Sequence, residues 1–200
     1  MKKILIMLIA LATIGKVNAQ NWTIDNTHSQ VMFTVSHLVI SEITGDFKKF
    51  SGNINATKPD FSDANIEFNI DVNSINTDNE MRDNHLKGDD FFNAEKFPTM
   101  TFKGKGMKKV SGNKYKLTGQ LTIRNVTKTV TLDVVYAGTV KDPWGNTKAG
   151  FKIKGMINRF DYNLTWNTLT EAGGATVGQD VEFTCNLELT QVKETTSGMK

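Results

Sequence analysis

One cysteine, three prolines and three histidines in 200 residues each close off a class of protein. A lone Cys185 forms no internal disulfide, so a stapled scaffold is excluded and stability rests on an ordinary core. His28, His37 and His85 show no H-x-x-x-H or H-E-x-x-H spacing and have no second cysteine beside them, so no metal is expected. There is no G-x-S-x-G elbow for a serine nucleophile. Gly104-x-Gly106 ends a strand pattern with no helix after it, so a dinucleotide loop is not supported. Charge of one sign is also missing. Lys and Arg number 24 against 21 Asp and Glu, and Lys2, Lys3 and Lys16 in the first nineteen residues account for the surplus. A balanced remainder argues against nucleic acid, which needs a basic face. The apolar run Ile4 to Gly15 is shorter than the roughly 20 residues a spanning helix needs.

That run has a different reading. Met1-Lys2-Lys3 is a basic start, the apolar stretch follows, and Val17-Asn18-Ala19 offers a small-residue cleavage site. The order is that of a secretory signal peptide over residues 1–19, with a mature chain from Gln20. The product is expected in the periplasm or outside the cell. Its composition, 38% apolar and 22% charged, is that of a globular chain. With few prolines and no Gly/Ser-rich linker, residues 20–200 read as one domain.

The dominant pattern there has period two. Val31, Phe33 and Val35 alternate with Met32, Thr34 and Ser36, and Ile66, Phe68 and Ile70 alternate with Glu67 and Asn69. The same holds from Tyr115 to Ile123, from Val130 to Tyr136, from Phe151 to Ile157 and from Val181 to Leu189. Such alternation marks strands with one dry and one wet face, which pair antiparallel. Lys58-Pro59-Asp60 and Ser111-Gly112-Asn113 read as hairpin turns, and Asp142 to Asn146 as a longer one. With Phe47 to Thr57 and Pro98 to Met107, about eight long strands result, which suits an all-β, eight-stranded antiparallel barrel closed on itself. Asp78 to Phe92 breaks the period and reads as a short helix with a following turn, capped by Thr77 or Asp78. Arg159 to Leu164 reads as a second, one-turn element.

An eight-stranded barrel either fills its interior with side chains or holds one small ligand there. The dry face consists of Val31, Phe33, Val35, Phe68, Ile70, Phe102, Leu121, Ile123, Val134, Phe151, Ile153 and Phe183. Period two alone does not choose between a ligand cavity and a packed core. An outer-membrane barrel shares the alternation with its apolar face turned to lipid, although the many Lys, Asp and Glu on the polar face suit bulk water.

Four blocks in this order resemble the YceI-like family. They are Asp25 to His37 (DNTHSQVMFTVSH), Val72 to Phe102 (VNSINTDNEMRDNHLKGDDFFNAEKFPTMTF), Gly119 to Val130 (GQLTIRNVTKTV) and Phe151 to Asn167 (FKIKGMINRFDYNLTWN). The departures are small: Gly88 stands where a small polar residue is common, and Asn125 where glycine is. The resemblance implies an extended lipocalin-like barrel with its helical segment beside one mouth. It further implies a cavity that carries or sequesters a long-chain amphiphile, such as an isoprenoid quinone, a polyprenyl or a fatty-acyl-like lipid, with no turnover and no other cofactor. Arg82, Asp83 and His85 are then candidates for the head group; their alternative is to fix the helical segment to the barrel. A lipid-modifying enzyme using Asp83, His85 or Asp161 in the same cavity is the competing reading. Transient membrane contact for ligand exchange and a homodimer are further expectations.

Overall fold

Alternation becomes architecture because successive Cβ atoms of a strand point to opposite faces. The computed structural model describes residues 19–169, 173 and 176–193; residues 1–18 of the expected leader lie outside them. Eleven strands form: β1 (Gln20–Ile24), β2 (Gln30–His37), β3 (Ser41–Phe47), β4 (Phe50–Ala56), β5 (Asn65–Asp71), β6 (Ile75–Asn76), β7 (Thr99–Ser111), β8 (Lys114–Ile123), β9 (Val126–Lys141), β10 (Thr147–Asn158) and β11 (Val177–Gln191). One helix, α1 (Glu80–Lys87), and two 3-10 turns, Val72–Ser74 and Arg159–Tyr162, complete the described elements.

All pairings are antiparallel. They run β1-β4-β5-β7-β8-β9-β10-β11 and return to β1, so the sheet closes. The long β11 pairs with β1 through Leu189–Gln191 and with β2 through residues 177–186. β1 and β2 therefore lie end to end along one edge of β11, and β3 and β4 lie end to end against them. Counted this way the wall has eight places, as the period-two pattern predicts. The outer face is polar and cross-linked: Thr118 to Thr131, Gln120 to Thr129 and Thr122 to Thr127 hydrogen-bond across β8 and β9. Lys103–Glu67 and Lys116–Asp133 pair on the same face. A wall with charges outside and apolar side chains inside is the reverse of a lipid-facing barrel.

Some local readings change. The loop Thr57 to Ala64 replaces a simple turn at Lys58-Pro59-Asp60 and folds inward, with Phe61 and Ala64 buried. The backbone of β7 holds it there. After a bulge, Gly106 N donates to Ala64 O and Met107 N to Ser62 O, so β7 runs through the two glycines instead of ending at them. The helix starts later than its candidate caps: Asn79 Oδ1 accepts from Arg82 N, while Asp78 turns into the left-handed region at φ +57°. Its Thr77 hydroxyl is taken by Asp83.

The passage from β1 to β2 crosses the wall beside β11 and is pinned by charge. Lys148 Nζ on β10 lies 2.6 Å from Asp25 Oδ2 and 3.1 Å from Glu188 Oε1. Asp25 also accepts from Thr27 N and approaches His28 Nδ1. The Lys148 ammonium, foremost, holds the Asp25 carboxyl well below the usual carboxylate range. A depressed carboxyl stabilises the fold above its unfolded value of 3.8 and stops doing so as pH falls through its lower, folded value. Asp25→Asn is therefore expected to lower stability at neutral pH. The gap from wild type should narrow between about pH 5 and pH 2 in urea titrations; a gap independent of pH would contradict this account.

Candidate functional site

One end of the barrel is shut by rings. The inward loop delivers Phe61 against Trp22, Tyr136 and Phe151, with ring centroids 5.1, 5.6 and 5.0 Å away. The Tyr136 hydroxyl donates to Pro59 O at 3.1 Å, tying the loop to β9. Beyond this plug the interior is hollow, with a cavity of about 220 Å³. One water needs roughly 10–15 Å³ on the same measure. The protein's own side chains therefore do not fill the lumen.

The reason is visible in pairs of phenylalanine and glycine. Phe33 faces Gly45 across β2 and β3, Phe68 faces Gly52 across β4 and β5, and Phe183 faces Gly155 across β10 and β11. Phe102 lies over Gly104 and Gly119. A Cβ at Gly45 would sit 2.5 Å from the Phe33 ring, and one at Gly104 would sit 2.9 Å from the Phe102 ring. Each glycine gives a ring room to lie along the wall instead of across the lumen.

The twelve dry-face residues, Val31, Phe33, Val35, Phe68, Ile70, Phe102, Leu121, Ile123, Val134, Phe151, Ile153 and Phe183, all line this cavity. Others on the wall escaped the strand period because they come from loops and the helix: Phe61, Leu86, Phe91 and Phe92. Cys185 also faces in, and burial pushes its thiol up to about 12, so it is a neutral apolar contact and not a nucleophile.

Arg82, Asp83 and His85 are not on the cavity wall. Asp83 is buried and accepts from Thr77 N at 2.9 Å and Thr77 Oγ1 at 2.6 Å. Arg82 donates from Nε to Thr77 Oγ1 and from Nη2 to Thr77 O. Together they lock α1 to the chain entering it. His85 pairs with Asp90 at 3.2 Å and packs edge-on against Phe91 and Trp166. Asp161 pairs with Lys128 on the outside at 3.0 Å. Asp83, His85 and Asp161 thus have three separate partners, and none of them lines the cavity in which a lipid-modifying enzyme would use them.

The charged wall residue is Arg159, which the spacing did not single out. It is 4% exposed and, among the described residues, the one charged side chain lining the cavity. A separate trio, Asp25, His28 and Glu188, places three ligand atoms within 4.8 Å of one another on the outer face. Lys148 already supplies the cation there.

A closed antiparallel barrel with a hollow apolar lumen and one plugged end defines a lipocalin-like barrel fold. The chain belongs to the YceI-like family: the model of the YceI-like domain matches residues 22–189. It is 37% identical to a UPF0312 protein of Staphylococcus aureus strain N315, over 84% of this chain and 96% of that one. The Campylobacter jejuni YCEI protein is 37% identical, with a TM-score of 0.67 over 80% of this chain and 90% of the other. A polyisoprenoid binding domain from Saccharophagus degradans shares the fold, with a TM-score of 0.64 at 18% identity, over 86% and 98% of the two chains.

If the glycines keep the lumen open, Gly45→Ala should drive the Phe33 ring inward. The expected cost is about 1–3 kcal/mol by urea denaturation, as for other overpacked cores. A crystal structure of the variant should show a smaller lumen; an unmoved ring would refute the role given to glycine.

Proposed function

We propose that the lumen takes up the chain of a long amphiphile, of the isoprenoid or fatty-acyl type, and that the protein carries or sequesters it without turnover. The observation that carries this reading is the hollow, apolar lumen with one closed end. Removing an apolar chain from water contributes about 25 cal/mol per Å² buried. A narrow tunnel selects an extended chain over a globular ligand, and the polar head stays at the end bearing α1. Family membership and the polyisoprenoid-binding domain of like fold point the same way. The basic and apolar leader expected over residues 1–19 makes the periplasm the proposed compartment.

Native mass spectrometry of protein purified without detergent tests this. The expected result is a non-covalent adduct of lipid mass on a chain beginning at Gln20. Phe68→Glu should abolish the adduct, because a charge would then face the apolar lumen without a partner. A folded Phe68→Glu variant that keeps its adduct would place the ligand elsewhere.

Exchange with a bilayer follows from the same reading, since such ligands reside there. The β2–β3 turn, at the end bearing α1, exposes Leu38, Val39 and Ile40, the last two 74% and 85% exposed. Leu38 and Val39 both adopt positive φ, 52° and 63°. Asn-Gly would fit such a turn without strain, so bulky apolar residues there favour an apolar contact. Val39→Asp with Ile40→Asp is expected to slow ligand transfer from vesicles severalfold while leaving equilibrium affinity in place; an unchanged rate would exclude the turn from exchange.

A further inference from the structure

A buried positive charge at the end bearing α1 has no counter-ion among the described residues. Arg159 Nε donates to Gly178 O at 2.8 Å, Nη1 to Leu164 O at 2.5 Å and Trp166 O at 2.8 Å, and Nη2 to Val177 O at 3.0 Å. Four of its five N–H donors are thereby used, and the fifth, on Nη2, meets no described acceptor. The four bonds staple the turn after β10 to the start of β11. Carbonyls are dipoles, however, and leave the net charge in place. The guanidinium lies over the ring of Phe160 at 4.5 Å and that of Phe91 at 6.0 Å.

The same economy holds at the chain's other two arginines. Arg124 Nη1 donates to Phe91 O and Asn163 O, and its Nε is buried with no partner among the described residues. Arg82 spends its donors on Thr77. Every ion pair among the described residues uses lysine or histidine instead. All three arginines thus gather about α1 and the Arg159 turn, and one of them faces the lumen.

We propose that Arg159 anchors an acidic head group, a carboxylate or a phosphate, on the chain-like ligand of the lumen, with Arg124 adding to the positive potential around it. This rests on the reading of the lumen as a lipid-chain site. An uncompensated buried cation is destabilising, and an anion delivered to it with a free N–H recovers part of that cost. Desolvation already pulls the Arg159 guanidinium below its ordinary pKa, the mark of a charge short of partners. A neutral head would leave the cation as it was.

Matched probes separate the two layers of the proposal. Geranylgeraniol, geranylgeranyl phosphate and geranylgeranoic acid share one tail and can be titrated calorimetrically into the mature chain. Wild type is expected to prefer at least one acidic probe over the alcohol by about tenfold or more, the worth of a charge-assisted hydrogen bond. Arg159→Gln should remove that preference and Arg159→Lys should keep most of it. Equal wild-type affinities for all three probes would overturn the anchor while leaving the lumen reading intact. A preference that persists in folded Arg159→Gln would overturn it as well. If Arg159→Gln does not fold, the wild-type comparison decides alone. No binding of any probe would instead overturn the lumen reading.

Discussion

The structure depends on phenylalanine rings lying flat against the barrel wall, and they do so because glycine stands beneath them. Phe33, Phe68 and Phe183 each face a glycine on the neighbouring strand, and Phe102 covers two. A ring against a glycine keeps its apolar contact with the wall while leaving the axis free. Had those positions carried side chains, the same strands would enclose a packed core, the other outcome open to eight strands. The hollow is therefore set by where small residues fall beside large ones, and not by an excess of small residues overall.

The two ends differ in chemistry as well as shape. At one, Phe61, Trp22, Tyr136 and Phe151 form an aromatic stopper, drawn in by backbone bonds from the β7 bulge to the 57–64 loop. At the other, α1 and the turn after β10 are held by hydrogen bonds that arginines donate to carbonyls and that Thr77 donates to Asp83. A chain with an apolar tail and a polar head fits such a polarity in one orientation, tail toward the stopper. The outside is tied separately, by the Asp25–Lys148–Glu188 cluster where β1 gives way to β2. None of its residues lines the lumen, and Lys148 brings a positive charge to the carboxylates of the Asp25–His28–Glu188 trio.

Much of the wall was legible because a strand reports its faces locally. That Val31, Phe33 and Val35, or Phe151 and Ile153, share one apolar face follows from alternation alone; that this face points into the lumen follows from closure of the sheet. β1 and β3 were harder to see: β1 buries only Trp22 fully, and β3 places Gly45 where an apolar residue would complete the pattern. The site at the mouth was less legible still. Arg82, Asp83 and His85 are polar residues beside a cavity, and composition does not distinguish a ligand contact from a helix anchor. Arg159 sits in a recognisable sequence block, but its burial comes from β11 and the 164–166 segment folding over it.

The order of residues alone thus carries the all-β class, the apolar and polar faces of each long strand, and the resemblance of the blocks to a family. These depend on side-chain period and on neighbours along the chain. Tertiary structure settles that the apolar faces point inward, that the interior is hollow, that one end is stoppered and that an arginine with no carboxylate partner among the described residues faces the lumen. Those properties arise from register between strands distant in sequence: which residue stands opposite which is settled by closure of the whole sheet.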